Sequence, residues 1–145
     1  MTAFRLGLTG SIGMGKSTTA QFFRDEGLPV WDADAAVHRL YAAGGAAVAP
    51  LGQLFPDAVE GATISRPRLK QIIAADPAAL ARIESLVHPL LAADRAAFTA
   101  HSPADILIFD IPLLFEKGYQ TDMDATLLVT EIGRASCRER VCMLV

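Results

Sequence analysis

Cysteine is scarce in this chain: two occur in 145 residues, Cys137 and Cys142. They lie near the end and not in CxxC spacing, so no disulfide framework is implied. No stretch approaches the ~18 consecutive apolar residues of a membrane span. The opening "MTAFRLGLTG" has neither the basic start nor the long apolar core of a signal peptide. A cytoplasmic location without a membrane partner is therefore expected. Net charge is only −3, which argues against a broad nucleic-acid surface while leaving room for a local basic pocket. Internal repeats and low-complexity linkers are also missing. What remains is a chain 52% hydrophobic, long enough for one domain with a real core.

The pattern alternates strands and helices. "FRLGLT" (4–9) is a short apolar run before Gly10 and reads as a buried strand. Lys16 to Glu26 reads as a helix stopped by Gly27, "LPVWD" (28–32) as a strand, and 33–43 as a helix ended by Gly44 and Gly45. "AAVAPLGQLF" reads as a short helix interrupted by Pro50. Ser65 is placed to cap a helix over 66–75, with Pro67 in its first turn. Asp76 is placed to cap 77–88, with a further helix over 89–100. "DILIFD" (105–110) and "ATLLVT" (125–130) complete the strands. Helices between strands imply a parallel sheet with right-handed crossovers, whose ligands sit beyond the carboxyl ends of the strands.

Gly10-Ser11-Ile12-Gly13-Met14-Gly15-Lys16-Ser17 fits G-x-x-x-x-G-K-[ST], between a strand and a helix. Glycines let successive backbone N–H groups turn inward, and the helix dipole adds positive potential, so the loop is suited to cradle a polyphosphate. Ser11, Ile12, Gly13, Met14, Gly15, Lys16, Ser17 and Thr18 are the candidate nucleotide-binding residues. Lys16 is placed for the β- and γ-phosphates, Thr18 for the α-phosphate, and Ser17 for Mg²⁺. The alternative is a glycine-rich turn with an exposed lysine.

Phosphoryl transfer to a hydroxyl requires a carboxylate that orients the acceptor and takes its proton. Asp32, at the end of the second strand, is the candidate base. Asp34 is a candidate acceptor contact or, in the plainer reading, a helix cap. Asp110 ends the apolar "ILIF" and is placed with Ser17 to support Mg²⁺. The following "IPLLFEKG" offers an apolar wall for an acceptor or simple core packing. His88-Pro89 reads as a junction between helices or a functional position. His38 and His101 read as helix residues, and Trp31 as packing. Arg66, Arg68 and Lys70 face either an acceptor phosphate or solvent.

"LTGSIGMGKST", "VWDAD", "LVHPLL" and "IFDIPLLFEKG" together resemble four blocks of dephospho-CoA kinase, in the same order, over about residues 3–130. The resemblance implies a three-layer P-loop NTPase fold, α/β with a parallel sheet, and a helical acceptor-binding insertion within 34–100. It implies transfer of the ATP γ-phosphate to the 3′-hydroxyl of dephospho-CoA with Mg²⁺, by a monomer. It assigns Asp32 as base beside Lys16, and His88, Pro112, Leu113, Leu114 and Glu116, with Asp34, to the acceptor side. The family continues past the "LLVT" strand into an arginine-bearing lid and C-terminal helices. Here "EIGRASCRERVCMLV" follows instead, and it resembles the translation of a common sequencing adapter. Residues 1–130 are thus expected to be an incomplete kinase domain and 131–145 a non-native tail, leaving the chain weak or inactive. Rival readings are a shikimate- or gluconate-type kinase and a non-catalytic nucleotide-binding fragment. A GTP-binding switch would need N-K-x-D, which does not occur.

Overall fold

The computed structural model describes residues 3–10, 15–112, 114–115, 117–130 and the backbone of 140–144. In chain order the elements are β1 (Phe4–Gly10), α1 (Lys16–Asp25), β2 (Val30–Asp32), α2 (Ala33–Tyr41), α3 (Val48–Leu54), β3 (Val59–Glu60) and β4 (Thr63–Ile64). Then follow α4 (Arg66–Ala75), α5 (Ala78–His101), β5 (Ile106–Asp110), β6 (Ala125–Thr130) and β7 (Arg140–Leu144). They fall into two compact units, Met1–Ala33 with Phe98–Val145, and Asp34–Ala97.

The first unit is built on a sheet of order β2-β5-β1-β6-β7 among the described residues. β1, β2, β5 and β6 run parallel, as the strand–helix alternation predicts. β7 is antiparallel to β6. The intervening stretch 131–139 is shorter than the dozen or so residues that a parallel crossover takes, so the chain can only return. Leu8, Ala20, Ile108, Leu127 and Val129 form the core of this unit. Trp31 is buried and lies 6.2 Å, centroid to centroid, from Phe109, and Phe98 meets Phe109 edge-on at 5.7 Å. That contact accounts for Phe98 belonging here and not to the helical stretch expected over 34–100.

Two close approaches fix the middle of this sheet. A Cβ on Gly10 would lie 2.6 Å from the Val129 carbonyl oxygen, so the end of β1 approaches β6 more closely than a side chain permits. A Cβ on Gly7 would lie 2.7 Å from Leu114 Cδ1. Leu114 is completely buried. Of the two readings of "IPLLF", core packing therefore holds for Leu114, and the expected acceptor wall does not include its surface.

The second unit is helical, with the short antiparallel hairpin β3–β4. Leu40, Leu51, Phe55, Leu69, Ile83 and Val87 anchor its core. Two proline readings are corrected. Pro50 does not interrupt α3. It is the third residue of that helix, where the amide has no intrahelical acceptor to lose. Nor does Pro89 divide two helices: α5 is continuous over 24 residues with Pro89 inside. The reason is the helix's apolar stripe. Ala79, Ile83 and Val87 recur every four residues and are buried, whereas Pro89 is exposed. The carbonyl that Pro89 leaves unbonded thus faces the wet side of the helix, where its cost is least.

Smaller differences concern ends. α2 stops at Tyr41, before the expected residue 43. It begins directly after β2, so Asp34 sits inside its first turn and does not cap it. Asp76 caps α5 as expected, accepting from the Ala78 amide at 3.1 Å. Ser65 occupies the cap position of α4 but makes no side-chain cap bond.

Candidate functional site

In the sheet unit, the connections leaving β1 and β5 cross to opposite sides, which makes the carboxyl ends of these neighbours a topological switch point. Register sets the chemistry there. Leu8 pairs with Asp110, and Asp32 pairs with Asp110 across β2 and β5. Two carboxylates from distant parts of the chain thus lie on adjacent strand ends.

α1 begins beside them. Gly15 adopts φ 83° at its N-terminal cap, a left-handed conformation that glycine takes without strain. Its carbonyl accepts from the Thr19 amide at 2.9 Å and from Thr19 Oγ1 at 3.0 Å, which closes the first turn. Ser17 and Thr18 are exposed on that turn. Lys16 reaches back, its Nζ donating to Asp110 Oδ1. Residues 11–14, the rest of the loop, lie outside the described residues, as do Leu113 and Glu116.

Asp110 is 4% exposed. Burial pushes its carboxyl above the ordinary carboxylate value, and the hydrogen bond and charge of Lys16 pull against that. The neighbouring Asp32 raises it further, while Arg24 lowers it. Arg24 Nη2 also lies 4.0 Å from Asp32 Oδ2. Sequence reasoning missed Arg24, because nothing in a helical period marks which arginine of a helix will meet a strand-end carboxylate.

Pro112 follows β5 half-buried, and Phe115 is exposed. Asp34 and His88 belong to the helical unit. There they line a groove of about 370 Å³ together with Tyr41, Arg66, Lys70 and Glu84. Arg66 lies over the Tyr41 ring, 5.9 Å from its centroid, and donates to the Asp34 carbonyl at 3.3 Å. Burial pushes the Tyr41 hydroxyl upward, and the charge of Arg66 opposes this. Asp34, Arg66, Lys70 and His88 were each singled out in the sequence, but no local pattern states that they share one groove, since its lining comes from separate helices.

Among the described residues there is no cluster of three or more His, Cys, Asp or Glu that could hold a metal by itself. The oxygen donors Ser17 and Asp110 nevertheless suit Mg²⁺, which takes one or two protein oxygens beside substrate phosphates. No helix among the described residues is long and apolar enough to cross a membrane.

A parallel sheet, a glycine-lysine-serine junction after its central strand and a buried carboxylate bonded to that lysine define a P-loop nucleotide-binding α/β fold. The family model for dephospho-CoA kinase matches residues 4–142, and the chain belongs to that family. It is 65% identical over 130 residues to the dephospho-CoA kinase of Cereibacter sphaeroides, a match covering 90% of this chain and 66% of the relative. It is 68% identical over 127 residues to that of Ruegeria pomeroyi, covering 88% and 64%. The chain thus spans just under two thirds of these relatives' length. Among solved structures, TT1252 from Thermus thermophilus superimposes with a TM-score of 0.80 at 37% identity, over 90% of this chain and 66% of that one. The dephospho-CoA kinase of Campylobacter jejuni shares the fold, with a TM-score of 0.68 at 22% identity, over 86% and 64%.

Proposed function

We propose that the chain carries the phosphate-gripping and acceptor-activating parts of an enzyme that phosphorylates the 3′-hydroxyl of dephospho-CoA with ATP, giving coenzyme A. The observation that carries this is the trio at the strand ends: Lys16 bonded to Asp110, with Asp32 beside Asp110 in register.

The residues divide the work as follows. The loop amides from Ser11 to Gly15 and the side chains of Lys16 and Thr18 hold the triphosphate. Lys16 exchanges Asp110 for phosphate oxygens and offsets the charge that develops there. Ser17 and Asp110 would hold Mg²⁺, which when bound neutralises phosphate charge. Asp32 orients the acceptor hydroxyl and accepts its proton. The hydroxyl oxygen bonds to the γ-phosphorus as the bond to the bridging oxygen breaks, and ADP leaves. Arg24 keeps a cation beside Asp32. Asp34, His88, Pro112, Leu113 and Glu116 serve the acceptor side, and buried Leu114 supports β1. We further propose a cytoplasmic monomer that does not bind nucleic acid.

Binding and transfer test this separately. Lys16→Ala is expected to abolish ATP binding by calorimetry. Asp32→Asn is expected to retain binding and lose transfer to dephospho-CoA, in this chain or in one completed with the C-terminal third of the Cereibacter sphaeroides relative. The 145-residue chain alone is expected to turn over more slowly than the completed one. Full turnover in the Asp32→Asn protein would overturn the base assignment. Preference for shikimate or gluconate over dephospho-CoA in an acceptor panel would favour the rival kinases, and ATP binding without transfer in the completed chain would favour a non-catalytic fragment.

A further inference from the structure

α1 carries two cations on one stripe. Lys16, Ala20 and Arg24 recur every four residues, which places them on the same helix face. Ala20, between them, is 1% exposed and belongs to the core of the sheet unit. Its small side chain seats that face against the strands, with a cation on either side. Lys16 takes Asp110, and Arg24 Nη2 lies 4.0 Å from Asp32 Oδ2. Helix side chains lean toward the N-terminus, which suits a residue of the last turn to reach back to a strand end.

A basic residue in the last turn is favoured by the helix dipole alone. That benefit asks for a cation, not for a carboxylate partner on another element. What sets Arg24 apart is the change of charge when phosphate arrives. Here Lys16 balances Asp110. Once Lys16 has moved to phosphate oxygens, Asp110 and Asp32 stand on adjacent strand ends as like charges. Arg24 acts on both. It lies beside Asp32. Burial raises the Asp110 carboxyl, and the Arg24 charge is one of those opposing that. The Asp32 side chain is also 34% exposed, and a carboxylate so placed has more than one rotamer open to it. A planar guanidinium against one of its oxygens narrows that choice.

We infer that Arg24 is a positioning residue for phosphoryl transfer: its guanidinium holds the Asp32 carboxylate turned to the acceptor hydroxyl while Lys16 is engaged with phosphate. It works through Asp32 and not on the reacting oxygens. The hydroxyl proton still passes to Asp32, and Arg24 keeps its own protons throughout. Both partners are partly exposed, so water screens the pair and the effect is modest. This deepens the reading of Asp32 as base and rests on it.

Kinetics with ATP and dephospho-CoA, in the 145-residue chain and in the completed one, read this. Arg24→Gln is expected to lower kcat about fivefold, the scale of a partly exposed ion pair. Both KM values and the melting temperature should stay as in the parent, since only an interaction made in the transition state is lost. The Arg24 side chain is 39% exposed, so the variant stays folded. Arg24→Lys keeps the charge and should restore kcat to within about twofold of the parent. In the Asp32→Asn background Arg24→Gln should have no further effect, because the group it positions is gone. The proposal is overturned if Arg24→Gln turns over like the parent, if it raises KM without lowering kcat, or if Arg24→Lys is as slow as Arg24→Gln. It is also overturned if the loss recurs undiminished in the Asp32→Asn background, the mark of a structural role. Full turnover in Asp32→Asn alone removes the base itself, and no transfer in the completed parent removes the kinase reading; the proposal falls with either.

Discussion

The sheet unit and the helical unit place their polar side chains in opposite ways. In the first, the groups that matter hang from strand ends, and hydrogen-bonded register sets their spacing. In the second, the groove is a surface between helix faces, and its shape follows from how an aliphatic core packs. Register tolerates little, since a one-residue slip would turn Asp32 or Asp110 to the other side of the sheet. Helix faces are more forgiving, because a neighbouring side chain can fill part of a gap. On the proposed reading, chemistry would fall where the backbone dictates position, and selection among ligands where side chains can vary.

The most direct way to break this contrast is Asp32→Asn. It is expected to lower transfer by about 10²- to 10⁴-fold, with nucleotide affinity within about twofold and thermal stability unchanged. A large loss of stability would mean that Asp32 is a structural residue. In the helical unit, Leu51→Ala empties a completely buried position and is expected to cost about 2–5 kcal/mol in urea unfolding. ATP binding at the loop should persist in whatever fraction stays folded. Gly10→Ala sharpens the comparison from the sheet side. Its methyl would meet the Val129 carbonyl oxygen at 2.6 Å, for an expected cost of about 1–3 kcal/mol.

Pro89→Ala acts in the other direction. It restores an amide to an exposed position inside α5 and is expected to raise stability by about 1 kcal/mol, visible as a higher denaturant midpoint. The smallest effect concerns Asp110, whose carboxyl binds its proton more tightly in the folded chain than in the unfolded one. The stability cost of its ionised form is absent below the unfolded value and complete above the folded value. The melting temperature of Asp110→Asn minus that of the parent should therefore rise with pH across that window and level off at neutrality. A flat difference would show that pairing with Lys16 cancels the burial cost.

The same contrast explains what could be read in advance. The strands, the main helices and the strand-to-helix junction at Gly15 and Lys16 were legible, because apolar runs and glycine stops act at fixed local spacing. Asp32 and Asp110 could each be read as a strand end, but their adjacency depends on β5 pairing with β2, which no local pattern states. Arg24 and Tyr41 were missed because each acquires a partner only when separate elements pack. Pro89 misled because a proline rule acts locally, whereas Ala79, Ile83 and Val87 hold α5 together through burial on the opposite side.

The bond between Lys16 and Asp110 has a last consequence. An anion that draws the ammonium away strands a carboxylate sheltered from water, and such a group resists standing alone. Whatever takes the lysine must therefore bring a positive companion to stand in for it. On the proposed reading, the site is expected to take phosphates that arrive with a cation more readily than bare ones, before any catalytic event begins.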